Sequence, residues 1–191
     1  EPDLVLSRDG VLIARHENAI SETTDVADHP EFADRRTTRT IDGETVTDWF
    51  TEDFTLAEIK TLRARERLPA LRGTAYDGRY EVPTFDEILT LLARVNAGRA
   101  RPVGVYPETK HPSHFAAIGL PHHAPLLAAL DRFGYRGADA PVFIQSFEVG
   151  NLKAIRRVSD LPLIQLMAAE GGPADRADLS YTAMATPAGL R

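Results

Sequence analysis

Glu1 and Asp3 stand two residues apart at the start of the chain, and Glu108 and Lys110 repeat that spacing with an acid and a base. Side chains of an extended strand alternate between its faces, so residues two apart point to one side, roughly 7 Å apart at their Cα atoms. Two carboxylates so placed could share an ion. Carboxylate oxygens in a chain without cysteine suit a hard divalent metal, Ca²⁺ or Mg²⁺, rather than zinc. Lys110 beside such an ion suits an anionic substrate group. His16 and Asn18 emerge on one side from SRDGVLIARHEN, after a tight turn at Asp9 and Gly10 and a short return strand from Val11 to Arg15. A histidine near a metal and a base is a natural general acid or base, because its pKa lies near neutrality.

Each of these residues also has a plainer reading. Glu1 and Asp3 read equally as terminal charges, His16 as an exposed loop histidine, and Glu108 with Lys110 as a surface ion pair. His111 with His114, and His122 with His123, could suggest a transition metal, although an adjacent pair cannot comfortably chelate one ion from a regular element. His111, directly after Lys110, is better placed to line the mouth of a site. Trp49, Phe50 and Phe54 read as the small core of a local segment, and Arg35, Arg36 and Arg39 as a solvated face.

The elements that must position these groups are short apolar runs alternating with helical patterns. The runs are DLVLS, VLIAR, PVGVY, PVFIQSF and LPLIQLM. Thr55 with Glu58 and Thr84 with Glu87 have the spacing of capping boxes, and Ile88, Leu91, Leu92 and Val95 would form one apolar face of the second helix. A third helix in APLLAALDRFGY places Leu126, Leu127, Leu130 and Phe133 together and ends near Gly134, and a fourth covers EVGNLKAIRRV. Strand and helix in alternation predict an α/β fold with a parallel sheet, in which ligands lie at the carboxyl ends of the strands. Gln145 and Ser146, ending VFIQS, belong to that set. Residues 25 to 82 are polar and rich in Thr, Asp and Arg, and read as an insertion beside the main core.

Composition narrows the function class. The chain has 191 residues, 43% of them hydrophobic, which suffices for one sizeable core. A net charge of −6 with scattered Lys and Arg makes nucleic acid an unsuitable main partner. The absence of cysteine excludes disulfides and thiolate catalysis. No apolar run reaches the roughly 18 residues of a membrane helix, and no signal peptide opens the given chain.

Taken together, EPDLVLSRDGVLIARHEN, TEDFTLAEIKTLRA, YPETKHPS, IQSFE and LPLIQL resemble the glycerophosphodiester phosphodiesterase family, in particular its bacterial, exported type with an insertion after the catalytic histidine. The resemblance runs in register along nearly the whole chain. It implies a TIM (β/α)₈ barrel, with residues 1–191 forming part of one such domain and 25–82 an insertion within it. It further implies metal-dependent hydrolysis of glycerophosphodiesters to an alcohol and sn-glycerol 3-phosphate. By position, Glu1, Asp3 and Glu108 would be the metal ligands, with Ca²⁺ preferred over Mg²⁺. His16 would be one of two catalytic histidines, and Lys110, Asn18, His111 and Gln145 would contact a small-molecule substrate. A periplasmic or secreted location would follow from the family type. The family's His-Arg-Gly segment does not precede Glu1, and its last strands would follow Arg191, so a longer natural protein is expected. Two other functions fit the same residues: a phospholipase D-like barrel enzyme, and a glycerophosphodiester-binding protein that does not cleave.

Overall fold

The computed structural model describes residues 1–190. A hairpin opens the fold: β1 (Asp3–Leu6) turns through Gly10, whose φ of 77° suits glycine, into β2 (Leu12–Ala14). Leu4, Val5 and Leu6 pair antiparallel with Ala14, Ile13 and Leu12. The 25–82 segment contributes short 3₁₀ turns, a two-stranded ribbon of β3 (Thr37–Ile41) and β4 (Glu44–Asp48), and the one-turn helices α1 (Leu56–Ile59) and α2 (Pro69–Arg72). Then come α3 (Phe85–Asn96), β5 (Glu108–Thr109), α4 (Pro112–Ala117), α5 (His123–Arg132), β6 (Ile144–Ser146), α6 (Val149–Arg156), β7 (Leu163–Gln165) and α7 (Tyr181–Met184).

The main sheet has the order β2-β1-β5-β6-β7, and every contact from β1 to β7 is parallel. Each later strand thus joins the edge left by the one before it. This is a strand-helix alternation, with the sheet open among the described residues.

Four expectations are corrected. PVGVY does not form a ladder of its own: only Val105 bridges to Val142, and regular pairing begins at Glu108. Pro102 and Pro107 remove backbone donors there, and Gly104 lies so close to Pro141 that an added Cβ would stand 2.6 Å from its carbonyl oxygen. On α3 the buried residues are Phe85 and Leu89, with Leu92 packed beside them, while Leu91 and Val95 are exposed. The 85, 89, 92 spacing is as helical as the one read from the sequence, and it is the face that packs into the main buried cluster. The insertion has no separate core. Trp49 and Phe54 belong to the same buried cluster as Leu4, Ile13 and Phe85, and Trp49 Nε1 donates to the Phe32 carbonyl at 2.6 Å. Nor are its arginines merely solvated: Arg35 lies 4.9 Å from the ring centres of both Phe32 and Phe54, Arg36 5.6 Å from Trp49 and Arg39 4.8 Å from Phe50. The cations cap the aromatic cluster that anchors the insertion to the sheet.

Both expected capping boxes are present in full, at Thr55–Glu58 and Thr84–Glu87. Leu126 and Leu130 of α5 are buried as expected, and Gly134 follows with φ 84°. Replacing Thr84 by Ala is expected to lower unfolding free energy by about 1 kcal/mol, because the Glu87 backbone N–H loses its acceptor. Urea unfolding of the two proteins measures it, and an unchanged midpoint would show that the box is dispensable.

Candidate active site

Asp3 of β1 pairs in register with Glu108 of β5, and Glu108 pairs with Gln145 of β6. In-register residues of neighbouring parallel strands face the same side, so the three form one row across the sheet. The row lies three residues beyond the Val105–Val142 bridge, towards the carboxyl ends of β5 and β6. Glu1 joins it through Gln145, whose Nε2 donates to Glu1 Oε1 at 2.6 Å. Lys110, two residues beyond Glu108, places Nζ 2.8 Å from Glu108 Oε1 and 3.7 Å from Asp3 Oδ1. The same ammonium stands 3.2 Å from His16 Nε2.

Electrostatics explain this arrangement. Burial raises the Glu108 pKa above its ordinary value, Lys110 opposes that rise, and neighbouring Asp3 adds to it. Two carboxylates brought together by backbone pairing require a positive charge between them, and the Lys110 ammonium lies there. Among the described residues, no three His, Asp or Glu side chains stand close enough to hold a metal ion between them. Asp3 and Glu108 are adjacent, while Glu1 is turned to Gln145.

His16 has Glu17 Oε1 2.5 Å from its Nδ1. With a carboxylate at Nδ1 and an ammonium at Nε2, the neutral imidazole carries its proton on Nδ1 and offers the Nε2 lone pair. Glu17 also reaches His111 Nε2 at 3.2 Å, and His111 Nδ1 meets Asp42 Oδ2 at 2.6 Å. The hydrogen bond from His111, helped by His16, pulls the Glu17 pKa down to about 2 against burial. Burial alone would lower the pKa of His111, yet Asp42 and Glu17 raise it to about 9. Asp42, at φ 51°, and His111, at φ 49°, are the two non-glycine residues with left-handed backbone among those described, and they bond to each other. The tip of the β3–β4 ribbon is thereby fastened to the residue after Lys110.

Asn18 does not join this group. It is buried, 2% exposed, and its amide donates to both oxygens of Glu52 at 3.0 and 3.1 Å. The expectation that it emerges beside His16 is therefore corrected: the turn after β2 points His16 to the site and Asn18 into the insertion. Glu52 also accepts from Arg39 and His114. His111 and His114 thus serve different carboxylates. His122 is a core histidine, 1% exposed, with Nε2 donating to the Leu4 carbonyl at 3.2 Å and burial lowering its pKa to about 3.

Glu17, Asp42 and Glu148 were not singled out from the sequence. Glu148 accepts from the backbone N–H and the hydroxyl of Ser113, each at 2.9 Å, and burial lifts its pKa to about 7. It shares a cavity of about 270 Å³ with Glu108, Lys110 and His111. Asp42-Gly43 was the legible signal among these, since Asp-Gly is a turn preferred by two-residue hairpins.

An α/β sheet with acids and an amide in one row across its parallel strands, and a lysine just past the end of β5, suits a barrel-type ligand site. The model of the glycerophosphoryl diester phosphodiesterase family matches residues 1–190, and the chain belongs to that family. A glycerophosphodiester phosphodiesterase of Arabidopsis thaliana is 39% identical over 179 residues, covering 87% of this chain and 47% of the relative. One from Haemophilus influenzae is 28% identical over 184 residues, covering 88% and 48%. The chain therefore spans about half the length of the curated relatives it matches. A structure from Silicibacter pomeroyi, described as a glycerophosphoryl diester phosphodiesterase, superposes with a TM-score of 0.63 at 25% identity, covering 92% of this chain and 57% of that one. A phosphodiesterase of Oleispira antarctica, solved with the product sn-glycerol-3-phosphate, gives 0.57 at 19% identity, covering 85% and 51%. The fold is the family's TIM barrel, of which the five-stranded sheet is a part.

Asp42→Asn tests the fastening. Asn tolerates left-handed backbone, so the change removes charge and leaves the turn. A histidine raised from 6.5 to about 9 on folding stabilises fully below about pH 6.5, and that stabilisation is lost as pH rises through 9. The variant is expected to be less stable than the parent at pH 6.5, by about 1 kcal/mol for a partly exposed charged hydrogen bond, and nearly equal at pH 10. Urea midpoints at the two pH values decide it; a pH-independent difference would refute the imidazolium.

Proposed function

We propose that the protein hydrolyses glycerophosphodiesters to an alcohol and sn-glycerol 3-phosphate with the help of a divalent cation. The observation that carries this reading is the row Asp3–Glu108–Gln145 with Lys110 between its acids and His16 against Lys110. The family membership and the product complex of the Oleispira protein support the substrate class.

The donor set suits the cation. Its nearest donors are the carboxylate oxygens of Asp3 and Glu108, which Glu1 would join by leaving Gln145, and the lysine lodged between Asp3 and Glu108 marks a place that demands positive charge. When bound, a Ca²⁺ or Mg²⁺ ion would offset the charge of the phosphodiester. With the acids so occupied, Lys110 would be free to neutralise a phosphate oxygen. His16 Nε2 takes up and returns the proton that hydrolysis moves, and Glu17 at Nδ1 stabilises the imidazolium formed meanwhile. Glu17 is itself held by His111 and so by the ribbon tip at Asp42. Gln145 holds Glu1 in the row, and His111 borders the cavity that would admit the substrate.

Two experiments test the proposal in the full-length protein. Release of glycerol 3-phosphate from glycerophosphocholine, read by coupling to glycerol-3-phosphate dehydrogenase, should vanish after chelation and dialysis and return with Ca²⁺ or Mg²⁺; activity that survives chelation would remove the cation from the reading. His16→Ala should lower kcat by roughly 10² to 10⁴ and leave calorimetric metal affinity nearly intact. A large loss of affinity would instead make His16 a ligand.

A further inference from the structure

A second cavity, of about 480 Å³, adjoins Glu1, Asp3 and His16 on one side and is bordered on the other by Arg15, Arg65, Arg67 and Arg72. The acids that line it are all engaged. Glu1 accepts from Gln145, Asp3 faces Lys110 and Glu17 is held by two histidines. Glu66 accepts from the Leu68 backbone at 2.8 Å and lies 3.5 Å from Arg72, while Arg65 pairs with Asp28. Arg15 and Arg67 are left without an acid among the described residues. Arg15 donates through Nη1 to the Ala14 carbonyl at 3.1 Å, and its Nε and Nη2 are closed to solvent with no hydrogen-bond partner. Arg67 is exposed at the mouth of the cavity.

A guanidinium buried without a counter-charge is costly, and in a poorly screened wall its field reaches into the adjoining space. An exposed guanidinium beside it adds a planar fork that fits a carboxylate or phosphate. We propose that this cavity is a subsite for an anionic group on the alcohol arm of the substrate, with Arg67 contacting the anion and Arg15 drawing it in through its charge. The inference rests on the diesterase reading above. The glycerol arm of every such diester is uncharged, so a second anion can come only from the alcohol: a carboxylate, as in glycerophosphoserine, or a further phosphate, as in glycerophosphoinositol 4-phosphate.

Two substrate pairs isolate the charge. Glycerophosphoserine differs from glycerophosphoethanolamine by one carboxylate, and glycerophosphoinositol 4-phosphate from glycerophosphoinositol by one phosphate. In the full-length protein, kcat/KM should favour the more anionic member of at least one pair, and the pair that responds identifies the anion. Arg67→Glu should reduce that preference about tenfold, with Arg67→Lys retaining part of it. Arg15→Met, which keeps the volume and removes the charge, should reduce it as well; if that variant does not fold, Arg67→Glu decides. Equal kcat/KM within both pairs, or a preference that Arg67→Glu leaves unmoved, would overturn the subsite. Calorimetric titration of the same pairs into His16→Ala, with and without Arg67→Glu, gives the answer by binding alone. Absence of hydrolysis of all four compounds would defeat the diesterase reading, while the titration would still decide the subsite.

Discussion

The structure turns on the parallel pairing of β1 with β5, because that register sets two carboxylates side by side at Asp3 and Glu108. Backbone pairing fixes the two residues side by side, so the nearness of their like charges can be relieved only by side-chain rotation or by positive charge. The remaining features of the site are responses to that constraint: Lys110 between the acids, a Glu108 that holds its proton more readily than usual, and an imidazole at His16 turned to the lysine. A cation would relieve the same repulsion, so the demand for positive charge is built into the backbone before any ligand arrives.

A second, outer layer of charge alternates in sign around the first. His16 and His111 share Glu17, and His111 reaches Asp42 on the ribbon tip. Glu17 is thereby placed between two histidines and His111 between two acids, which fixes orientation in a region largely built from loops. The insertion contributes through two routes: this charged tip, and the aromatic cluster of Phe32, Trp49 and Phe54 that joins the main core.

What the sequence could disclose follows from the range of the interactions. Local rules were readable: both capping boxes, the turn at Gly10, the face of α5 and the two-residue spacing of Glu108 and Lys110 all depend on neighbours in the chain. The E-x-D and E-x-K pairs were also visible, yet their juxtaposition comes from strand register, and the resemblance to a family supplied it. Partners distant in sequence and set by the insertion stayed hidden. Asn18 meets Glu52 34 positions away and His114 meets the same Glu52 62 positions away, and no local pattern announces either. The choice of Phe85 and Leu89 over Leu91 and Val95 was lost for a related reason: both sets are helical faces, and only the neighbouring strands select between them.

The order of strands along the sheet has a consequence for the birth of the protein on the ribosome. Since β5, β6 and β7 follow β1 in both chain and space, the sheet can grow at one edge as the chain emerges. Asp3 must wait for Glu108, and Gln145 leaves the ribosome seconds later at the usual pace of synthesis, about 5–20 residues per second. Glu108 does not arrive alone, however. Lys110 comes two residues behind it, just past the end of β5, within 2.8 Å of its carboxylate once folded. The acid that completes the repulsive pair thus carries its own neutralising cation, and the nascent sheet need never close around two bare negative charges.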